Sequence, residues 1–150
     1  MKTMWMSLHE AARKSAKSCL ALGLLALPLV SQAAMTVTPL TWNIVGLDSN
    51  SPATGPKHFP VGARVCSTVA TTNVAVSLVW DSANANVNIR PGTNSALNFP
   101  SIAANACVDA YYEVEITPVP AAYDTTRRYH IVATDGSGSF SSPVPRELYV

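Results

Sequence analysis

The clearest pattern along this chain is an alternation of apolar and polar positions with a period of two residues, the spacing of a strand with one buried face. Residues 108–116 show it most sharply, with apolar side chains at Val108, Ala110, Tyr112, Val114 and Ile116. Residues 73–80 alternate as well, but their second face is nearly apolar, which predicts a central strand. Further strand candidates lie at 40–47, 59–65, 87–90, 97–102, 128–135 and 144–150.

Short clusters of Asn, Ser, Gly and Pro separate these segments, and Pro91-Gly92 and Gly136-Ser137-Gly138 are strong turn signals. Seven to eight short strands joined by turns predict an all-β fold. The specific expectation is a β-sandwich of antiparallel strands, and the resemblance described below implies that it is immunoglobulin-like.

The first 34 residues have a different pattern, that of an export signal. Basic residues lead into an apolar run of 12 residues from Cys19 to Val30, and small residues follow at Ala33 and Ala34. The run is too short to span a bilayer. We therefore expect residues 1–34 to be a signal helix that is cleaved after Ala34, and the mature protein to be secreted or held at the cell surface, with the periplasm as an alternative.

Removal of this leader changes the charge balance of the chain. The full sequence has 10 Lys and Arg and 9 Asp and Glu, and the loss of four basic and one acidic residue leaves six and eight. A faintly acidic chain lacks the basic stripe that nucleic acids require, and no second membrane-length apolar segment follows. Residues 35–150 are expected to form one domain, either free-standing or the first module of a longer protein.

Two cysteines, Cys66 and Cys107, remain after cleavage of the leader. An even pair in an oxidising compartment predicts a disulfide, although two free thiols are the alternative. Cys66 is out of phase with the apolar positions of its strand, and Cys107 shares the polar face of Asp109 and Glu113. The bridge is therefore expected near a strand end or sheet edge and not through the centre of the core.

No motif in the sequence indicates catalysis, a cofactor or a metal site. The chain has no nucleophile elbow, no phosphate-binding glycine loop and no zinc-type spacing of Cys or His. Glu113 and Glu115 share one strand face, and alternate charges of this kind are typical of a solvated surface. Asp48-Ser49-Asn50 and the Asn-rich segment after Asp81 are interpreted as turns, and His130 as a residue on the outer side of a sheet.

Exposed tyrosines and arginines are the residues that interfaces favour. Tyr111 on the polar face, together with Arg127, Arg128 and Tyr149, is therefore a candidate contact surface for a protein or a sugar.

Three segments give the chain a resemblance to a known family. Residues 61–66 (VGARVC), the strand that ends at Trp80, and residues 101–107 leading into Val108 to Ile116 resemble CARDB-type, immunoglobulin-like modules of secreted and surface-exposed bacterial proteins. The similarity covers Phe59 to Thr134. Where family members usually have a glycine before the sixth strand, this chain has Asn105. The resemblance implies adhesion or spacing of other domains, with no catalytic residues.

The sequence thus predicts a non-catalytic module whose partners are other protein modules, cell-surface components or glycans. Two alternatives remain open. One is a pilin-like subunit that is completed by a strand from its neighbour, which Pro143 and Pro145 disfavour because proline lacks a backbone donor. The other is a polysaccharide-binding module that uses an exposed aromatic platform.

Overall fold

A computed structural model of the protein describes residues 35–150, and the predicted signal peptide with its cleavage site at Ala33 and Ala34 lies outside the described residues. This part of the chain is an antiparallel β-sandwich, as predicted. The first sheet has the strand order β1-β2-β6-β4, with bounds β1 Met35–Pro39, β2 His58–Ser67, β6 Ala106–Ile116 and β4 Val87–Ile89. The second has the order β5-β3-β7-β8, with bounds β5 Ala96–Ile102, β3 Thr71–Trp80, β7 Thr126–Asp135 and β8 Gly138–Ser141. A last strand, β9 Glu147–Tyr149, also pairs with β7.

The predicted inner faces form the core between the two sheets. In β6, Ala110, Tyr112, Val114 and Ile116 are buried while Tyr111 is exposed, and in β3 Val74, Val76 and Leu78 are buried. β3 lies between β5 and β7, so its prediction as a central strand is confirmed. The buried Tyr112 hydroxyl donates to the Val76 carbonyl at 2.7 Å and thereby joins the sheets.

The described residues contain nine strands, and the main difference from the expected pattern lies at 35–47. Met35–Pro39 is a strand, paired with β2 from Met35↔Ser67 to Pro39↔Ala63, whereas the predicted strand over 40–47 is wrong. The chain leaves the first sheet at this point and crosses to the second, where Ile44 forms an isolated parallel bridge with Tyr149. A segment that passes from one sheet to the other cannot stay paired with a single strand, so its apolar residues do not alternate between core and solvent.

The predicted disulfide is present, with Cys66 bonded to Cys107. These residues are register partners near the end of β2 and the start of β6, so the bridge joins neighbouring strands of one sheet. Its place near the strand ends and on the outer side of the sheet agrees with the out-of-phase position of Cys66. A disulfide of this kind is typical of chains that work in an oxidising compartment outside the cytoplasm.

Candidate functional site

Tyr111 lies on the outer face of the first sheet, and 51% of its surface is exposed. Its register partner on β2 is Gly62. A Cβ atom on Gly62 would lie 2.5 Å from Cδ1 and 2.8 Å from Cε1 of Tyr111, which is too close for any side chain. The tyrosine ring therefore covers the bare backbone of the glycine, and the absence of a side chain at position 62 is what allows it to lie against the sheet.

Ion pairs flank Tyr111 in both directions along β6. Arg64 donates from Nε and Nη2 to the two carboxylate oxygens of Asp109, each at 2.8 Å. Arg90 Nη1 lies 2.6 Å from Glu113 Oε2. The hydrogen bonds from Arg64 hold the pKa of Asp109 below its ordinary value. Since Asp109 and Glu113 are two residues to either side of Tyr111, polar residues lie about 7 Å from it in both directions along the strand.

A third pair completes the charge pattern of this face. Lys57 Nζ lies 2.9 Å from Glu115 Oε1, and His58 Nε2 lies 3.5 Å from the same oxygen. The hydrogen bond from Lys57 is the main reason that the pKa of Glu115 is lowered. The three carboxylates of β6 on this face are therefore each matched by a cation, and the face has no excess of either sign.

The segment that crosses between the sheets exposes two large apolar side chains, Trp42 at 89% and Ile44 at 73%. Hydrogen bonds hold its backbone on both sides. Val45 N donates to the Tyr149 carbonyl at 2.9 Å, and Tyr149 N donates to the Asn43 carbonyl at 2.7 Å. Trp42 therefore projects from an anchored segment.

This crossing segment borders a groove of about 260 Å³ at the edge of the first sheet, where the segment passes to the second. Its lining includes Leu40, Trp42, Phe59 and Pro60. Thr41 ties the segment to the sheet, because its hydroxyl accepts a hydrogen bond from Gly62 N at 3.1 Å. The sequence did not single out Trp42 as a contact residue, since the predicted strand over 40–47 placed it in a sheet.

The four residues of the predicted contact surface do not form one surface. Tyr111 is on the first sheet, whereas Arg128 and Tyr149 lie on the outer face of the second, where Arg128↔Glu147 and Thr126↔Tyr149 are register partners. The Tyr149 hydroxyl donates to Asp124 Oδ1. A contact role for Tyr111, Arg128 and Tyr149 stays a prediction.

Arg127 points in the opposite direction from Arg128, because neighbouring residues of a strand face opposite sides. Its guanidinium lies 4.2 Å from the centre of the Trp80 ring. Nε donates to the Ser82 carbonyl at 3.0 Å, and Nη1 donates to Asn88 Oδ1 at 2.7 Å and to the Val87 carbonyl. Burial lowers the pKa of Arg127. The hydrogen-bond donors of Arg127 are therefore occupied within the fold. These contacts join the two sheets at one end of the sandwich.

The second sheet has a larger groove of about 510 Å³, lined by Asp81, Arg128, His130, Ser141, Val144 and Pro145. His130 Nδ1 lies 2.8 and 3.0 Å from the two carboxylate oxygens of Asp81. An ionised carboxylate can only accept, so Nδ1 carries the hydrogen and Nε2 is left as an acceptor in the neutral imidazole. The prediction placed His130 on the outer side of a sheet but did not foresee this groove, since its lining comes from distant parts of the chain.

The loops rich in Asp and Asn are closed by their own side chains. Asp48 accepts hydrogen bonds from the backbone of Asn50 at 2.8 Å and Ser51 at 3.2 Å, and these bonds lower its pKa. Within residues 35–150, no three His, Cys, Asp or Glu side chains are grouped to hold a metal ion. The same residues include no helix long and apolar enough to cross a membrane.

No protein-family model matches this chain, and no curated protein was found to match its sequence. The functional proposals below therefore rest on the geometry of the described residues.

Proposed function

We propose that this protein is a non-catalytic β-sandwich module that acts outside the cytoplasm, in adhesion or as a structural spacer. One observation carries the proposal: Met35 and Val150 lie at opposite ends of the sandwich. Met35 pairs with Ser67 beside the disulfide. Val150 is at the other end, where its N–H donates to the Thr125 carbonyl at 3.0 Å.

This geometry suits a module that bears load applied at Met35 and Val150. A pull on Met35 directed away from Val150 acts along the axis of β1 and loads its five register pairs with β2 together. A pull on Val150 likewise acts along β9, which pairs with β7 at three positions. Hydrogen bonds that are loaded side by side resist force better than bonds that break one after another.

The disulfide supports both the location and the load-bearing role. The disulfide joins β2 to β6, so β2 stays attached to the first sheet when a force pulls β1 away. The similarity to CARDB-type modules would imply the same kind of role, and we propose that relation together with the function.

Pulling single molecules of the mature domain tests the spacer role. Handles at Met35 and Val150 should give one abrupt unfolding event. Handles at Met35 and Ser137, which both lie at the disulfide end, should peel strands apart at a clearly lower force. Equal forces in the two geometries would argue against a load-bearing module.

Fractionation of the native cells tests the location. The protein is expected outside the cytoplasm with Cys66 and Cys107 oxidised. A cytosolic chain with two thiols that react freely with an alkylating reagent would overturn the proposal.

The alternative of a pilin-like subunit would need an open position beside a strand for the neighbour's strand. The open side of β7 is occupied by this chain itself, by β8 at one end and β9 at the other. We therefore propose a module that does not depend on a neighbour's strand beside β7.

A further inference from the structure

We infer that the outer face of the first sheet is a binding site for a neutral, linear polysaccharide, with Tyr111 as its central platform and Trp42 at its end. This inference rests on the proposed adhesive role and specifies its ligand. The site is defined by Tyr111, Pro60 and Trp42 together with the ion pairs beside Tyr111.

Tyr111 has the geometry that a sugar ring needs. One side of its ring covers Gly62, and the rest of its exposed surface faces solvent. The C–H groups on one side of a pyranose form an apolar surface that packs against an aromatic ring. Because the tyrosine lies against the sheet and does not swing freely, little side-chain entropy is lost when a sugar binds.

The ion pairs beside Tyr111 suit the hydroxyl groups at the edge of such a sugar. The carboxylates of Asp109 and Glu113 accept hydrogen bonds, and the guanidinium groups of Arg64 and Arg90 donate them. Each group is partly exposed and held in place by its partner, at 2.8 Å for Arg64–Asp109 and 2.6 Å for Arg90–Glu113. A charged group that is already positioned makes a strong hydrogen bond to a neutral partner.

The charge balance of the face favours a neutral ligand. Lys57, Arg64 and Arg90 are each paired with a carboxylate, so neither a polyanion nor a polycation gains a net attraction. This balance distinguishes the face from surfaces that bind nucleic acids or acidic lipids.

The site extends beyond one sugar because a second exposed aromatic residue, Trp42, lies beyond Pro60 at the edge of the first sheet. Pro60 is the next outward position on β2 after Gly62, and it lines the groove with Trp42. Trp42 lies past the end of β1, on the segment that crosses to the second sheet, and it shares the groove with Pro60. Two exposed aromatic side chains with an apolar residue between them can contact successive units of a polysaccharide. A monosaccharide would contact only one of them and would therefore bind more weakly.

Affinity electrophoresis of the mature domain tests this inference directly. Native gels would contain one neutral polysaccharide each, namely hydroxyethyl cellulose, mixed-linkage β-glucan, xylan or galactomannan, and one gel would contain alginate as an anionic comparison. Retardation is expected in at least one neutral gel. Tyr111→Ala removes the aromatic platform and should weaken retardation about tenfold or more. Trp42→Ala should weaken it as well.

Matched variants separate stacking from unfolding. Tyr111→Phe keeps the ring and should keep the binding, whereas Val144→Ala removes an exposed apolar side chain between β8 and β9, away from the first sheet, and should change nothing. The circular dichroism spectra of all four variants should match that of the parent protein. Binding should also persist from about 50 mM to about 500 mM NaCl, because a neutral ligand is not attracted through screened charges.

Three outcomes would overturn the inference: no retardation in any neutral gel, retardation that Tyr111→Ala leaves unchanged, or retardation only by alginate. A purified protein partner that depends on Tyr111, with no glycan bound, would assign the face to protein recognition instead. The test is independent of the pulling and fractionation experiments. A domain that resists force outside the cytoplasm without binding glycans would still be a spacer.

Discussion

At the scale of single residues, three positions show how local chemistry fixes the structure. Asn105 has a φ of 58° in the turn before β6. This is the left-handed conformation in which glycine or asparagine is common, so asparagine can serve where glycine is usual. Gly62 is required for a different reason, the close approach of the Tyr111 ring and of the Ala110 carbonyl oxygen. The guanidinium of Arg127 makes its contacts within the fold, although the sequence alone does not distinguish such an arginine from an exposed one.

Tyr112 makes a residue-scale prediction about pH. Burial raises its pKa above the ordinary value of 10.0. The folded protein therefore keeps the phenol protonated while the unfolded chain ionises, so the stability it contributes is complete below pH 10 and is lost as pH rises further.

Tyr112→Phe tests this behaviour. At pH 7 the variant should be less stable by about 0.5–1.5 kcal/mol, because the hydrogen bond to Val76 is lost. Above pH 10 the deficit should shrink by on the order of 1 kcal/mol by pH 11, since phenylalanine does not ionise. Urea unfolding of both proteins at several pH values measures the gap. A deficit that stays constant to pH 11 would contradict the prediction.

At the scale of elements, the end of the chain acts as one interrupted strand beside β7. β8 pairs with residues 132–135 of β7 and β9 pairs with residues 126–128. Ser142 bridges part of the gap, because its N–H donates to the Ile131 carbonyl at 2.8 Å and its hydroxyl accepts from Ile131 N at 3.0 Å. A buried serine thus replaces a missing backbone acceptor, which no alternation pattern predicts.

Ser142→Ala should leave the buried Ile131 N–H without its acceptor. The expected loss is about 1–3 kcal/mol of unfolding free energy, the cost of an unsatisfied buried donor. Hydrogen exchange should show faster exchange of the Ile131 amide. Ser141→Ala, at the exposed neighbouring position, is the matched control and should change stability by less than about 0.5 kcal/mol. Equal effects of the two substitutions would contradict the proposed bridge.

At the scale of the whole molecule, two kinds of link hold the sheets and strands together. Side chains join the sheets, through Tyr112 to Val76 at 2.7 Å and Arg127 to Asn88 at 2.7 Å. The disulfide joins β2 to β6 across a sequence separation of 41 residues. A chain with one core of this size has a total stability of roughly 5–15 kcal/mol, so the bridge is a substantial part of it.

Replacing both Cys66 and Cys107 by alanine should lower the unfolding free energy by about 3–4 kcal/mol, because the unfolded chain regains the freedom of an open loop. Urea unfolding with and without reductant measures the effect. Reductant should lower the unfolding free energy of the parent protein and leave that of the double variant unchanged. The double variant is therefore the control for other effects of the reductant. An intact mass equal to that of the fully reduced chain, under oxidising conditions, would rule out the bridge.

The sequence by itself determined the class of fold and most of the core. Alternation decides which face of a strand is buried, because the side-chain period of two leaves no other choice once one face is apolar. The same argument predicted that the cysteine bridge lies near the strand ends, since Cys66 is out of phase with its strand. The alternation argument failed at 40–47, because these apolar residues lie on a segment that crosses between the sheets and does not pair with one strand.

Only the tertiary structure decided which polar and aromatic residues share a surface. Tyr111 and Gly62 are far apart in the sequence, and the ring of one covers the backbone of the other because β2 and β6 are neighbours in the first sheet. Arg127 and Arg128 are adjacent in the sequence and face opposite sides of the second sheet. Strand order and register set these distances, and both depend on pairings between distant segments that a local pattern does not contain.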